Sequence, residues 1–369
     1  MPTRPGPRLR VTLDGTPLLG NRTGIGRYVD NLIRQLGDDD GLTIGVAAFS
    51  VRRRRALRSL PATARLVRRP VPARLLHRAW LAGDRPVAEW VMGRADVVHG
   101  TNFVLPPTRS AAGVVTIHDL TFQRYPGLVD AASLAYRSLV PRSAQRAAAI
   151  LTPTRAVAED LIEEYGIDPA KVHVTPLGVD DTWFAPAPPP LPHLPVRYVL
   201  AVGTLEPRKG LDSLLAAYRE LAAADPTVPD LVLAGSSGWG PSLDLAGVDP
   251  RRVVLTGYLD DADLRAAVAG AEAVAYPSRY EGFGLPPLEA MALRVPVVAT
   301  DIPAVREVTA GHVPLVPVGD VEALAAALRA VLTDAPTSAA LEAARDHSRT
   351  FSWRRCAAST AAVYRAVAG

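Results

Sequence analysis

The stretch Tyr198-Val-Leu-Ala-Val-Gly-Thr-Leu-Glu-Pro-Arg-Lys-Gly-Leu211 decides how the rest of the chain is read. Its apolar run, Tyr198–Val202, is too short for a helix and has the composition of a buried strand. Gly203 closes the run, and Gly210 precedes a helical pattern over Leu211–Ala223. A strand, a glycine-bounded loop and a helix form the first part of a crossover unit, whose strands pair in parallel. Downstream the alternation continues, with apolar runs at Leu231–Ala234, Val253–Thr256, Ala273–Tyr276 and Pro296–Ala299. Helical patterns include Val321–Leu332 and a final Trp353–Val367.

Upstream lies Phe184-Ala-Pro-Ala-Pro-Pro-Pro-Leu-Pro-His-Leu-Pro195. Prolines at that density remove backbone donors and favour extended chain, so this is a linker. Before it runs a second alternating series. A strand at Leu9–Leu13 leads to a Gly-rich turn, Thr23-Gly-Ile-Gly-Arg-Tyr28, which opens a helix to Leu36. Strands follow at Leu42–Phe49, Val97–His99, Val114–His118, Ala149–Thr152 and Val172–Thr175, with helices at Ala131–Arg146 and Arg155–Tyr165. The expected fold class is α/β, two Rossmann-like domains facing each other across a cleft, with strand C-terminal ends toward it, where open α/β sheets bind ligands. The expected boundaries are 1–183, a Pro-rich linker at 184–196, 197–350, and a C-terminal helix at 351–369 packing back toward the first domain. There is no short-period repeat.

At 369 residues the chain can build two cores. Its 48% hydrophobic content is that of a globular enzyme, with no run suited to spanning a bilayer and no apolar core after Met1 to make a secretory signal. Cys356 is the lone cysteine, which excludes an internal disulfide and a cysteine metal cage. A cytoplasmic setting is expected. The net charge of +4 hides an uneven distribution: Val51–Trp80 holds ten arginines and no acidic residue, so the remainder is net negative. Two readings stay open, a docking face for anions or acidic lipid and a solvated arginine-rich face. Leu75, Leu76, Trp80 and Leu81 would add apolar insertion if this stretch is an amphipathic helix, making the protein peripheral at the inner face of the membrane. Lysine is avoided; Lys171 and Lys209 are the only ones among 41 basic residues.

The strongest chemical signal is Pro277-Ser-Arg-Tyr-Glu281-Gly-Phe-Gly-Leu-Pro-Pro-Leu-Glu289-Ala-Met291, after a strand and leading into a helix. Gly282 and Gly284 let backbone approach a ligand, and a helix start offers amides to phosphate. Glu281 would accept hydrogen bonds from sugar hydroxyls, and Glu289 would take a vicinal diol such as ribose. The plain alternative is a strand–helix connection with two solvated glutamates. The second signal is Arg208-Lys209, at a strand end beside a helix start, where a bidentate fork and a point charge can neutralise a diphosphate. The alternative there is a surface cap.

Taken together, Glu281-x7-Glu289, the Gly-Thr-Leu-Glu-Pro-Arg-Lys segment and the N-terminal Gly-rich turn resemble glycosyltransferase family 4, in its mannosyltransferase-like group 1, from Val11 to Leu328. The resemblance implies the GT-B fold, retention of anomeric configuration and a nucleotide-diphosphate sugar as co-substrate, with no cofactor and no divalent metal. It places donor binding mostly on the C-terminal domain and the acceptor on the N-terminal one. It implies that Arg208 and Lys209 bind the diphosphate, Glu281 contacts the donor sugar and Glu289 the ribose. His118, at a strand end, would also contact the donor sugar; the alternative is a core histidine bonded to Asp119. Gly24 and Gly26 would cap the donor phosphates, although Val29 stands where a dinucleotide fingerprint has its third glycine. Gly203, Thr204, Gly235, Ser236, Tyr258, Phe283 and Leu285 complete the expected donor site. His99, Asn102 and Asp119 would line the acceptor side.

Asp260 or Asp261, in Gly257-Tyr-Leu-Asp-Asp261, would read guanine by accepting its paired N–H donors, or would simply cap the following helix. The expected reaction moves mannose from GDP-mannose to a glycan, lipid-linked or small-molecule acceptor. The alternatives are a UDP-sugar donor and, from another class, a nucleotide-sugar epimerase. Asp38–Asp40 and Asp261/Asp263 are read as turn and helix-start residues, not metal ligands. No nucleic acid partner is expected.

Overall fold

The computed structural model describes residues 8–20, 24–50, 60–67, 71–240 and 243–369. The chain divides into two compact units. One takes the chain up to Arg124, then Ala131–Gly178 and Trp353–Gly369; the other takes Tyr125–Asp130 and Val179–Ser352.

The first unit holds β1 (Leu9–Asp14), α1 (Gly24–Gly37), β2 (Leu42–Ala47), β3 (Ala64–Val67), α2 (Ala73–Ala82), α3 (Ala88–Met92), β4 (Val97–Gly100), β5 (Ala112–Thr116), α4 (Thr121–Arg124), α5 (Tyr136–Arg146), β6 (Ala149–Thr152), α6 (Arg155–Tyr165) and β7 (Val172–Val174). The second holds β8 (Tyr198–Val202), α7 (Leu211–Ala224), β9 (Asp230–Ala234), β10 (Val253–Gly257), α8 (Asp261–Ala269), β11 (Ala273–Tyr276), α9 (Leu285–Ala292), β12 (Val297–Thr300), α10 (Pro303–Thr309), β13 (Leu315–Val316), α11 (Val321–Thr333) and α12 (Ser338–Arg349). A last helix, α13 (Trp353–Ala368), returns to the first unit.

Both sheets pair in parallel, and their orders match: β3-β2-β1-β4-β5-β6-β7 and β10-β9-β8-β11-β12-β13. Each order reverses once, between β1 and β4 and between β8 and β11, and such switch points leave a crevice beyond the strand ends. Central strands such as β4, β6, β11 and β12 are buried along their whole length, because helices cover both faces of a parallel sheet. In the second unit Leu214, Leu215 and Tyr218 of α7 pack with Leu231 and Leu233 of β9 and with Leu324 and Leu328 of α11. In the first, α13 buries Trp353, Cys356, Ala357, Thr360, Ala361 and Tyr364 at helical spacing and packs on α1 and on β4, β5 and β6.

Several sequence expectations shift. Gly24–Tyr28 is not a turn before α1 but its first turn. The helix expected from Ala131 starts at Tyr136, after a short 3-10 turn at Ser133–Ala135. The arginine-rich stretch contains β3 and α2, and α2 turns Leu76 (2% exposed) and Trp80 (1%) into the core, leaving Leu75 outside (57%). The Trp80 indole donates to the Pro86 carbonyl at 2.9 Å. Leu76 and Trp80 therefore cannot insert into a membrane without unpacking. Arg52 to Arg55, Arg58, Arg68 and Arg69 lie outside the described residues. Among the described residues no helix is long and apolar enough to cross a membrane.

Candidate active site

At the switch point of the second sheet, three loops meet at the ends of β8, β9 and β11. Glycines let them stack backbone to backbone. A Cβ at Gly235 would collide with the Gly203 carbonyl, and one at Gly210, which has φ of 64°, would collide with the Pro277 carbonyl. The amides of Gly203 and Gly235 are already used, donating to Ala234 and Gly257 carbonyls at 2.9 Å each. These glycines therefore serve close approach and do not present amides to phosphate. Leu205 N donates to the Ser236 carbonyl at 3.0 Å, tying Thr204 and Ser236 into the same junction.

Inside this junction sits a four-residue ion cluster. Glu281 accepts from Arg208 Nη1 at 2.6 Å, from Lys209 Nζ at 2.5 Å and from Ser278 Oγ at 2.8 Å. Glu206 accepts from Arg208 Nε at 3.0 Å and Nη2 at 2.6 Å. Two cations and two carboxylates make the cluster neutral. Burial alone would raise the Glu281 carboxyl, but Arg208, Lys209 and Ser278 outweigh it and bring it down to about 2. Burial pulls the Lys209 ammonium down, and Glu281 offsets this only in part. Lys209 also lies over the Tyr276 ring, 5.5 Å from its centre.

Glu281, expected to accept from sugar hydroxyls, already accepts from three neighbours, through Oε1 from Lys209 and Ser278 and through Oε2 from Arg208; a carboxylate has about four acceptor sites, so one remains. The sequence reading also missed three parts of the machinery. Glu206 orients Arg208, and Ser278 orients Glu281. Arg279 clamps the Pro207–Lys209 turn, donating to the Pro207 carbonyl at 2.7 Å and to Asp212 at 2.6 Å, while its own amide bonds the Arg208 carbonyl at 2.8 Å. Their position inside the two quoted motifs was the only available signal.

The helix that follows, α9, starts at Leu285 after Gly284 (φ 136°), with Pro286 and Pro287 in the first turn, where missing N–H groups cost nothing. Glu289 lies on it and is 1% exposed. The side chain of Phe283, a residue expected at the donor, is buried and packs edge-on against Phe351 at 5.8 Å. Gly282 and Leu285 are likewise buried. Tyr258 is 42% exposed at the end of β10. Asp260 caps α8, accepting from Ala262 N at 3.0 Å and Asp263 N at 2.9 Å, so that residue is a cap; Asp261 is exposed in the first helical turn.

The switch point of the first sheet is of another kind. His118, after β5, is 7% exposed, and its Nε2 lies 2.9 Å from the Thr101 carbonyl. A carbonyl only accepts, so Nε2 carries the proton. Burial lowers the pKa of His118, so the ring is neutral, and Nδ1 keeps a lone pair. Tyr28 and Phe103 hold the ring edge-on at 5.1 and 5.5 Å. Asp119 does not bond it; Asp119 accepts from Thr121 N at 2.8 Å. Asn102, one residue past Thr101, has a buried Oδ1 with no hydrogen-bond partner among the described residues.

His99, expected to line the acceptor side, is 0% exposed. Its Nδ1 meets Tyr364 Oη at 2.6 Å and its Nε2 meets Thr116 Oγ1 at 2.7 Å, because α13 covers β4. Burial pushes its pKa down to about 3. It is a core histidine. Asp14, at the end of β1 and 8% exposed, was missed from sequence. Burial raises its carboxyl to about 6, against hydrogen bonds from the Thr16 amide and hydroxyl at 2.8 and 2.5 Å. Gly24 is exposed and Gly26 buried, both in the first turn of α1, whose amides have no partner within the helix. Among the described residues no three His, Cys, Asp or Glu side chains are grouped to hold a metal.

Two parallel sheets of matching order, one with paired cations at its switch point, form a double α/β architecture. Residues 22–183 match the glycosyltransferase family 4 model, and residues 196–334 match the model for glycosyl transferases group 1. The O-antigen chain mannosyltransferase B of Escherichia coli is 30% identical over 79% of this chain and 78% of its own length. A D-inositol 3-phosphate glycosyltransferase of Kribbella flavida is 31% identical over 96% of this chain and 94% of its own. An Anabaena protein solved with UDP-glucose superposes with a TM-score of 0.69 at 16% identity, over 97% of this chain and 100% of its own, which shows a shared fold. The chain belongs to glycosyltransferase family 4 and is a sugar-transferring enzyme of the GT-B type.

Proposed function

We propose that the protein is a retaining, metal-independent hexosyltransferase that takes mannose from GDP-mannose. The observation that carries this reading is the pair Arg208 and Lys209, held at the β8/β11 switch point by buried Glu281. In the reaction the bond between the anomeric carbon and the diphosphate oxygen breaks. Negative charge collects on the departing phosphate, and Arg208 and Lys209 face it where a metal ion would otherwise stand. The acceptor hydroxyl attacks on the same face, forms the new bond to the anomeric carbon and passes its proton to the departing phosphate oxygen. Glu281 and Glu206 position the cations and keep them from repelling each other in the empty site; Lys209 keeps N–H donors beyond the one Glu281 takes. His118 accepts a hydrogen bond from a donor hydroxyl at Nδ1, and Glu289 takes the ribose. Asn102 and Asp14 belong to the acceptor side, which takes a glycan or lipid-linked molecule.

The mannosyltransferase relative supports mannose. With Asp260 capping α8, the guanine reading passes to Asp261, and the UDP-glucose complex of the Anabaena protein supports the alternative of a UDP-sugar donor. Membrane docking through the arginine-rich stretch rests on its charge and on Leu75. A donor panel with EDTA tests the whole reading. Turnover of GDP-mannose that survives EDTA and keeps the anomeric configuration supports it. Sugar epimerised without acceptor, or activity restored only by a divalent ion, refutes it.

A further inference from the structure

The first unit carries a second cationic site, away from His118. An open groove of about 1110 Å³ is lined by Asp84 and Arg85 from the α2–α3 connection, Arg109 from the loop before β5, and Arg142, Gln145 and Arg146 from the last turns of α5. Arg109 stands shortly before the start of β5 and Arg146 shortly before the start of β6, whereas His118 and Asn102 follow strand ends. In a parallel sheet these are opposite strand ends, so the groove lies away from His118 and Asn102.

Its charges are out of balance. Asp84 pairs with Arg146 at 3.2 Å. The side chains of Arg85 and Arg109 make no hydrogen bond or ion pair with any described residue, and Arg142 makes only a 3.5 Å contact to the Trp80 carbonyl. The nearby Glu89 offers no relief. Its carboxylate is consumed by the amides of Arg109, Ser110 and Ala111 at 2.8 to 3.2 Å, and these bonds fix the loop that presents Arg109. Arg142 and Arg146, four apart on one helix, repel each other. The dipole at the C-terminus of α5 favours those two, but it does nothing for Arg85 or Arg109, which come from other segments. Three guanidinium groups line one groove whose lining carboxylate, Asp84, is paired with a fourth, and with the Gln145 amide and the Thr108 hydroxyl alongside they match an anion with several oxygens and more than one charge.

We propose that this groove is a binding site for a diphosphate or phosphodiester group, distinct from the donor site. The open side leaves room for the rest of the ligand, whose phosphate comes either from a soluble molecule or from a lipid headgroup. The test uses protein carrying Lys209→Ala, so that the donor-side cation does not compete, with and without Arg109→Gln and Arg142→Gln. Isothermal titration with inorganic pyrophosphate is one arm; cosedimentation with phosphatidylglycerol against phosphatidylcholine vesicles is the other. Saturable pyrophosphate binding that weakens about tenfold or more in the groove variant supports the site for a free phosphorylated ligand. Loss confined to the phosphatidylglycerol arm assigns the groove to a headgroup. Unchanged binding in both arms overturns the proposal, and so does an equal loss on Arg74→Gln with Arg78→Gln, which changes only the exposed face of α2. Melting curves identify any variant that has lost its fold, and a Lys substitution at Arg109 and Arg142 then replaces Gln: binding retained at full strength by an ammonium there also overturns the arginine-fork recognition argued here.

Discussion

The two switch points sit at the same place in matching strand orders, yet they solve opposite problems. In the C-terminal unit four charges are packed together and paired, with Glu281 driven down to about 2. In the N-terminal unit the groups are desolvated without counter-charges: His118 is held neutral, His99 is pushed to about 3, and Asp14 is raised to about 6. A charged partner can be gripped by the first and only hydrogen-bonded by the second. Under the proposed function, that difference would let one fold hold a diphosphate at one site and neutral hydroxyls at the other.

The largest expected effect breaks the charged side. Lys209→Ala should lower kcat/KM by about 3 kcal/mol equivalent, or roughly a hundredfold, as loss of a preorganised charge partner does elsewhere. Glu281→Gln should cost as much or more, because it frees two buried cations from their shared anion. Steady-state kinetics with intact circular dichroism checks both; near-normal rates would remove the cluster from catalysis. On the neutral side His118→Ala should cost less, about tenfold, as befits one lost neutral hydrogen bond with its packing. A His118 effect larger than that of Lys209 would invert the comparison.

Next come opposite pH dependences of stability. Glu281 is lowered in the fold, so the stability it contributes is present above its ordinary value of 4.5 and is lost as pH falls toward 2. Asp14 is raised from 3.8 to about 6, so the folded form binds the proton more readily and Asp14 adds stability as pH falls through that window. Thermal melts from pH 7 to 3 should show the Asp14 contribution vanish in Asp14→Asn, and the steep loss below 4.5 flatten in Glu281→Gln. Melts of both variants parallel to the wild type would contradict the assignments. The smallest effect concerns the base: Asp261→Asn should weaken GDP binding by a few-fold, about 1 kcal/mol, and leave UDP unchanged. Tighter UDP binding in the unmodified protein would transfer the donor assignment to a uridine sugar.

How far the sequence carried depended on range. Strand and helix positions were legible because β8, β9 and β11 are local apolar runs ended by glycine. Arg208, Lys209 and Glu281 were legible because they cluster within two short segments. Their mutual use was not: Glu281 lies 72 residues from Lys209, and nothing local shows that the two are bonded to each other. The burial of the Phe283 and His99 side chains was illegible for the same reason, since Phe351 and Tyr364 pack on them from far along the chain. Asp14 was overlooked because an aspartate at a strand end reads as a turn residue until its burial is known.

The sequence by itself determined the alternating architecture, the family and the clustering of Arg208, Lys209 and Glu281 in two short segments, because periodicity, glycine placement and charge spacing are properties of neighbouring residues. Tertiary structure alone decided protonation and partnership. Whether a histidine is neutral, a carboxylate paired or an arginine left without a counter-ion depends on burial and on what distant segments bring within about 3 Å, and both are set only when each sheet forms and its helices pack on it.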